Sequence, residues 1–151
     1  MTENITKNHK AYRDYEILEK LEAGIELKGS EVKSLRMGKI NLDDSFARID
    51  GGQMILYNMH ISPYAEASYL NVEPARQRRL LIHKRELLAW ADKTSRRGLT
   101  IIPTRAYFNA RGFAKLELGL CKGKKLHDRR DDIKKRETDR ELKRALKSRR
   151  R

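Results

Sequence analysis

Basic side chains beside a histidine form the segment of this chain that is best suited to binding chemistry. Gly123–Lys125 follow the last predicted strand, and His127, Arg129 and Arg130 come directly after them. Lysine binds phosphate as a point charge, arginine binds it through a planar fork, and a histidine ring can stack on an unpaired base. The segment therefore favours contact with RNA, although composition alone is equally compatible with a surface role for His127.

A second basic cluster consists of Arg76, Arg78 and Arg79, at the end of a long polar stretch that contains Pro63 and Pro74. Charge runs usually form a solvated face. Long loops, however, often carry function, and the charge of the whole chain favours a polyanionic partner. We interpret this cluster as a binding loop.

Catalytic and metal-binding patterns are absent from the sequence. It has no Gly-rich phosphate loop of the Walker type, no Gly-x-Ser-x-Gly and no His-Glu-x-x-His. Its histidines are dispersed and Cys121 is its only cysteine, so no metal-ligand spacing occurs. Asp43-Asp44 and Asp131-Asp132 could serve a metal-dependent ribonuclease, but turn acids and first-turn helix acids explain them better. We predict no enzymatic activity, metal, cofactor or small-molecule substrate.

The overall composition points to one modest domain with an appended segment. The chain has 151 residues and a net charge of +14, with 38% hydrophobic and 37% charged residues. No apolar run approaches the roughly 18 residues that span a bilayer, and the polar start has no signal-peptide core. We expect a cytoplasmic monomer whose partner is a nucleic acid rather than a membrane.

Alternating apolar and polar residues predict a mainly β fold. The first predicted elements are strands at 15–21 and 24–28, joined by a turn at 22–24, and a helix at 31–37 capped by Ser30. A hairpin of 46–49 with 54–57 about Asp50-Gly51-Gly52 follows, and then a loop at 62–79. The last elements are a helix at 84–97 ended by Gly98 and strands at 100–102, 104–109 and 113–120. Antiparallel hairpins dominate this order, which favours a small closed or partly open barrel. Tyr57, Trp90 and Phe113 are expected in its core, and Leu87, Leu88, Trp90 and Ala91 should form the apolar stripe of the second helix.

The C-terminal segment differs in composition from the rest. Residues 122–151 hold 15 Lys/Arg and 6 Asp/Glu, so we divide the chain into a barrel domain at 1–121 and a basic tail at 122–151. Acids precede bases at i,i+4 spacing there, but a lone helix is marginal in water. We predict a tail that is disordered when free and helical against a polyanion.

Six segments, in this order along the chain, carry distinctive motifs. They are Asn8-His9-Lys10-Ala11-Tyr12, Leu21-Glu22-Ala23-Gly24-Ile25, Gly29-Ser30-Glu31-Val32-Lys33-Ser34-Leu35-Arg36-Met37-Gly38-Lys39, Leu56-Tyr57-Asn58-Met59-His60-Ile61-Ser62-Pro63-Tyr64, Arg79-Leu80-Leu81-Ile82-His83 and Gly119-Leu120-Cys121-Lys122-Gly123-Lys124-Lys125-Leu126-His127-Asp128-Arg129-Arg130. Together these motifs resemble the SsrA-binding protein (small protein B) family. The match covers nearly the whole chain, in order and with family spacing.

The resemblance implies a fold, a function and partners. The fold is a small antiparallel oligonucleotide-binding-type barrel with about three helices and a basic C-terminal tail. The function is trans-translation, in which an adaptor binds the tRNA-like domain of transfer-messenger RNA and delivers it to stalled 70S ribosomes. There it mimics the tRNA anticodon arm beside small-subunit rRNA, and the tail becomes helical in the empty mRNA channel.

The resemblance also implies site residues. Those matched to transfer-messenger RNA binding are Asn8, Lys10, Glu22, Lys33, Arg36, Arg76, Arg78 and Arg79; those matched to the ribosomal decoding centre are Gly123, Lys124, Lys125, His127, Asp128, Arg129 and Arg130. Glu22 is unusual on a surface that binds a polyanion, but a carboxylate can accept a hydrogen bond from a nucleobase N–H or orient a nearby lysine or arginine. Two departures, His9 for a basic residue and Ala75 for threonine, put one contact each in question.

Overall fold

The chain folds around an antiparallel barrel. The structure, a computed structural model, describes residues 3–65, 71–124 and 126–149. Within these ranges it has the strands β1 (Glu3–Lys7), β2 (Tyr15–Ile25), β3 (Ile40–Asn41), β4 (Phe46–Asp50), β5 (Gln53–Tyr57), β6 (His60–Ile61), β7 (Arg78–Leu81), β8 (Thr100–Phe108) and β9 (Ala114–Gly123). Its helices are α1 (His9–Asp14), α2 (Gly29–Arg36), α3 (Lys84–Arg97) and α4 (Leu126–Arg149).

Six strands close the barrel in the order β8-β4-β5-β7-β2-β9, because β9 also pairs with β8. All these pairings are antiparallel, and β1 adds to β8 beside the barrel. The fold class predicted from the sequence is therefore confirmed. The described residues hold four helices rather than about three, since α1, at residues 9–14, was not among the predicted elements.

The barrel interior is filled by aliphatic side chains from alternate strand positions. Leu56, Leu116, Leu118 and Leu120 are almost fully buried, and Trp90 of α3 packs into the same cluster. Three core predictions are wrong. Tyr57 is only half-buried and lies outside the core cluster, with its hydroxyl bonded to Asp50. Phe113 is 62% exposed because it lies in the turn before β9, and Leu88 is 60% exposed because it faces away from the side of α3 that carries Trp90.

The predicted turn at residues 22–24 does not exist. β2 runs unbroken from Tyr15 to Ile25, because β9 pairs with it from Tyr15 to Gly24 and β7 pairs with Gly24 and Ile25. The irregularity of this strand is instead a register shift between Ile17 and Glu19. The predicted break at Pro103 is likewise a register shift within the continuous strand β8. Strand partners, which local sequence does not reveal, decide both cases.

Two other local predictions agree with the structure, but the helix cap predicted at Ser30 is wrong, because α2 begins at Gly29 with Lys28 as its N-cap. β4 and β5 form the predicted hairpin, in which Asp50 pairs with Gln53 and both turn glycines have positive φ, 58° at Gly51 and 76° at Gly52. α3 has the predicted bounds and ends at Gly98, whose φ is 63°. Of the stretch predicted as a loop at 62–79, residues 66–70 lie outside the described residues, and its last two residues belong to a strand, because β7 begins at Arg78.

In the C-terminal segment, β9 extends to Gly123 and α4 occupies Leu126–Arg149. Disorder of this tail in the free protein and helix formation on a ribosome remain predictions. No helix in the described part of the chain is long and apolar enough to cross a membrane.

Candidate nucleic-acid interface

One outward surface of the barrel carries charged side chains from several strands. Glu22 of β2 lies opposite Glu117 of β9, which lies opposite Arg105 of β8. Because partners across a strand pair point to the same face, these three residues form one row. A second row, two residues along, contains Leu81, Gly24, Lys115 and Tyr107. We call these two rows, with Arg79, Lys20 and Asn4, the barrel face.

Ion pairs organise most of the charge on the barrel face. Arg105 Nε lies 3.1 Å from Glu117 Oε2, and Lys20 Nζ lies 3.8 Å from Glu117 Oε1. The Arg105 guanidinium also covers the Tyr107 ring at 4.4 Å from its centroid, and its Nη1 donates to Asn4 Oδ1 at 2.8 Å. Glu22 accepts a hydrogen bond from the Tyr107 hydroxyl. Burial, and then the Glu22 carboxylate, raise the pKa of Tyr107, which keeps the phenol protonated.

An apolar surface lies beside these charges. Leu81 is 48% exposed, and its Cβ lies 3.3 Å from the position that a Cβ on Gly24 would occupy. Lys115 Nζ lies 3.6 Å from the same position. A flat apolar patch next to a cation can receive a nucleobase and its phosphate. Sequence reasoning missed Leu81, Arg105, Tyr107 and Lys115, although the alternation in β8 and β9 already placed Arg105 with Tyr107 and Lys115 with Glu117 on common faces.

A buried ion-pair network connects α2 to the segment before β7. The Glu31 carboxylate accepts from Arg76 Nε at 3.1 Å, from Arg78 Nε at 2.6 Å and from the backbone N–H of Lys28 at 2.9 Å. Burial favours the neutral acid, but the hydrogen bonds from Arg76, Lys28 and Arg78 outweigh it and lower the pKa of Glu31. This network fixes α2 relative to residues 76–79.

Arg78 lies at the centre of that network rather than at the surface. Its side chain has 0% exposure, and it donates to the carbonyl oxygens of Met59 at 2.6 Å, Arg76 at 3.1 Å and Pro74 at 2.9 Å. In this conformation it cannot reach a ligand on the barrel face. Its geometry is that of a positioning residue, whereas its neighbour Arg79 is exposed, 3.9 Å from Glu26.

The exposed side of α2 carries the other predicted basic residues. Lys33 and Arg36 are both exposed, and Lys33 Nζ lies 5.5 Å from the centroid of the Tyr64 ring. Arg76 is partly buried by its bonds to Glu31 and to the Glu26 carbonyl oxygen. The structure thus leaves Lys33, Arg36 and Arg79 exposed, where they can bind phosphate.

Asn8 has a structural role that its sequence context did not reveal. It is 2% exposed and caps α1 by accepting from Ala11 N at 3.1 Å. Its amide donates to the carbonyl oxygens of Leu42 at 3.2 Å and Pro103 at 2.9 Å, so it joins α1 to the barrel. Lys10, on the solvent side of α1, pairs with Asp44 at 2.5 Å. Of Asn8 and Lys10, which were both predicted to contact RNA, only Lys10 has the polar end of its side chain near solvent.

The C-terminal basic block begins at the barrel edge, as its sequence position predicted. Gly123 pairs with Tyr15, and the backbone N–H of Lys124 donates to the Asp14 carbonyl oxygen at 3.1 Å. His127, Asp128, Arg129 and Arg130 belong to the first turns of α4, and Lys125 lies outside the described residues.

Asp43 and Asp44 lie in the turn before β4, where the backbone N–H of Asp43 donates to Asn41 Oδ1 at 2.7 Å. Asp44 has φ 63° and carries the ion pair with Lys10. Among the described residues, no three His, Cys, Asp or Glu side chains are grouped to hold a metal ion. Both aspartates have the geometry of turn acids.

A family model described as SmpB protein matches residues 5–148. The chain belongs to the SmpB family. The SsrA-binding protein of Carboxydothermus hydrogenoformans is 54% identical over 149 residues, 99% of each chain. The SsrA-binding protein of Desulforudis audaxviator is 56% identical over 141 residues, 93% of this chain and 92% of the relative.

A solved structure of the SmpB family has the same fold. It is described as "tmRNA-SmpB: a journey to the center of the bacterial ribosome", and one of its chains is 53% identical to this one with a TM-score of 0.68. The alignment covers 80% of this chain and 85% of that chain. The family resemblance recognised in the sequence motifs is therefore confirmed.

Proposed function

We propose that this chain is an RNA-binding adaptor that binds transfer-messenger RNA and delivers it to stalled ribosomes for trans-translation. The observation that carries the proposal is membership of the SmpB family, together with the close match to a chain from a tmRNA-SmpB structure. The proposed role is that of an adaptor and not of a catalyst, performed in the cytoplasm.

The barrel face and α2 supply an interface of suitable chemistry. Lys20, Lys115, Arg79, Lys33 and Arg36 provide cations for phosphate, and Leu81 beside Gly24 provides an apolar surface for a base. Glu22 adds an acceptor that can read a base amino group. Phosphate contacts would give affinity and orientation, while Glu22 would contribute selectivity.

For the ribosome we propose a second interface formed by Gly123–Arg130 and α4. Gly123 and Lys124 are fixed to the barrel through β9 and the Asp14 carbonyl oxygen. A basic block starting from a rigid edge can enter the decoding centre in place of a tRNA anticodon arm. His127 would stack on rRNA, the lysines and arginines would bind phosphate, and α4 would follow the empty mRNA channel.

A competition gel shift tests the adaptor proposal. Labelled transfer-messenger RNA is bound at fixed moderate salt and challenged with excess total tRNA. We expect the shifted band to persist, because base contacts add to the phosphate contacts that every RNA shares. Loss of the band in excess tRNA would identify a general basic RNA binder and contradict the proposal.

The ribonuclease alternative has its own test. We expect the RNA to remain intact after long incubation with the protein and Mg²⁺. Cleavage that Asp43→Asn or Asp44→Asn abolishes would instead support a metal-dependent nuclease.

A further inference from the structure

Glu22 is an exposed carboxylate that has no basic partner among the described residues. Other acidic side chains of this basic protein do make ion pairs: Glu31 with Arg76 and Arg78, Glu117 with Arg105, and Glu19 with Lys93. Glu22 is instead bound by a neutral donor, the Tyr107 hydroxyl. A neutral partner leaves the negative charge available to a ligand, whereas a lysine or arginine would compensate it.

Tyr107 is held firmly enough to fix the direction of that hydrogen bond. It is 3% exposed, and its ring is covered by the Arg105 guanidinium at 4.4 Å. Arg105 is itself held at two ends, by Glu117 Oε2 at 3.1 Å and Asn4 Oδ1 at 2.8 Å. Side chains from three strands, β1, β8 and β9, thus contribute to the placement of one phenol oxygen.

Without the hydrogen bond from Tyr107, electrostatic repulsion would favour a different position of the Glu22 side chain. It lies directly opposite Glu117 on the neighbouring strand, and like charges at opposed positions repel each other. The nearby cations Arg105 and Lys20 form their ion pairs with Glu117 and not with Glu22. The hydrogen bond from the Tyr107 hydroxyl therefore holds the Glu22 carboxylate in place against repulsion by Glu117.

We propose that Tyr107 is a positioning residue that aims the Glu22 carboxylate at the amino group of a base in the bound RNA. The proposal rests on the proposed function and adds to it the contact by which the protein distinguishes transfer-messenger RNA from other RNAs. One Glu22 oxygen accepts the hydrogen bond from the phenol O–H, and the remaining lone pairs accept hydrogen bonds from the N–H groups of an exocyclic amino group such as that of cytosine.

The test uses the full-length chain, labelled transfer-messenger RNA and competitor tRNA over a series of salt concentrations. Tyr107→Phe removes the hydroxyl and keeps the ring. We expect the preference for transfer-messenger RNA over tRNA to fall about 5- to 10-fold, within the range assigned to one base contact. The salt slope should not change, because the phosphate contacts remain, and Tyr107→Phe with Glu22→Gln should be no worse than Glu22→Gln alone.

The chain supplies a matched control in Tyr57→Phe. The Tyr57 hydroxyl donates to Asp50 Oδ2 at 2.9 Å on the β4–β5 hairpin, so this variant also breaks an exposed tyrosine–carboxylate bond. It should leave the preference between RNAs unchanged. A second test variant, Glu22→Asp, keeps the charge but shortens the reach to Tyr107, and should reproduce the lost preference even if Tyr107→Phe folds poorly.

The outcomes separate the two proposals. Wild-type preference in Tyr107→Phe or Glu22→Asp overturns the inference and leaves the adaptor function standing. Equal weakening of both RNAs with a lowered melting temperature assigns Tyr107 a purely structural role, which also overturns it. A wild-type protein that shows no preference refutes the proposed function and the inference with it.

Discussion

Arg78 illustrates how burial changes the meaning of a basic residue. In the sequence it is one of three arginines in a cluster, but in the structure its guanidinium is enclosed by Glu31 and the carbonyl oxygens of Met59, Pro74 and Arg76. A buried arginine can be tolerated only when its charge and its donors are satisfied. We therefore assign the contacts with phosphate to exposed neighbours such as Arg79.

We predict that Arg78→Met destabilises the fold by about 3–5 kcal/mol, because it leaves the Glu31 carboxylate buried and only partly compensated. Denaturant unfolding followed by circular dichroism measures the effect. Arg79→Met is the matched control and should change the free energy of unfolding by less than about 0.5 kcal/mol, since its ion pair is exposed. Similar free energies for the two variants would contradict the assignment of Arg78.

Glu31 predicts a specific dependence of stability on pH. Its hydrogen bonds hold its pKa below the ordinary value of 4.5, so the folded state binds this proton more weakly than the unfolded state does. The resulting stabilisation is present above the ordinary pKa and is lost as the pH falls through the folded-state pKa. Unfolding curves between neutral and acid pH should show a shallower acid loss for Glu31→Gln than for wild type. Parallel curves would refute this contribution.

At the scale of elements, short helices attached to the barrel place the surfaces that we propose to contact RNA. α2 is fixed by Glu31, and α1 is fixed by Asn8, which caps the helix and bonds to two carbonyl oxygens of distant segments. α1 spans only His9–Asp14, too short to be stable alone. Its position, and with it that of Lys10, depends on these tertiary bonds.

We predict that Asn8→Ser lowers stability by about 1–3 kcal/mol although serine still caps the helix, because two buried carbonyl oxygens lose their donor. Thermal unfolding measures the loss. The affinity of the remaining folded protein should fall by a similar factor for transfer-messenger RNA and tRNA. A selective loss at unchanged melting temperature would instead assign Asn8 a direct base contact.

The tail helix is predicted to act at the second interface only. Deletion of Lys134–Arg151 should leave transfer-messenger RNA binding intact but stop tagging of stalled peptides, because the barrel face and α2 precede the deletion. Gel shift and an in vitro tagging assay on the same truncated protein measure the two functions. Normal tagging by the truncated protein would contradict a role for the tail on the ribosome.

At the scale of the whole molecule, net charge and fold act together. The charge of +14 attracts any polyanion, while the closed barrel holds cations, an apolar patch and one directed carboxylate in fixed relative positions. Electrostatic attraction alone, without this arrangement of side chains, would bind RNA but would not distinguish one RNA from another.

We predict that affinity for transfer-messenger RNA falls steeply with salt, with a log–log slope of about −0.7 to −0.9 per phosphate neutralised. Lys33→Ala and Arg79→Ala should each reduce that slope by about one unit. Arg96→Ala is the control, since Arg96 lies on α3 in an exposed pair with Asp92, outside the proposed interface. A flat response to salt would rule out an electrostatic interface.

The sequence by itself determined those features whose physics is local. Alternation predicted the β fold, Asp50-Gly51-Gly52 predicted the hairpin through the positive φ of its glycines, Gly98 predicted the end of α3, and the ordered motifs indicated the family. Tertiary structure decided what depends on distant partners. Pairing with β9 made β2 continuous. Glu31 of α2 and neighbouring carbonyl oxygens hold Arg78 inside the protein, and carbonyl oxygens of distant segments hold Asn8 there. Cross-strand register placed Tyr107 beside Glu22. These contacts join residues as far apart as Tyr15 and Gly123, which no local pattern encodes.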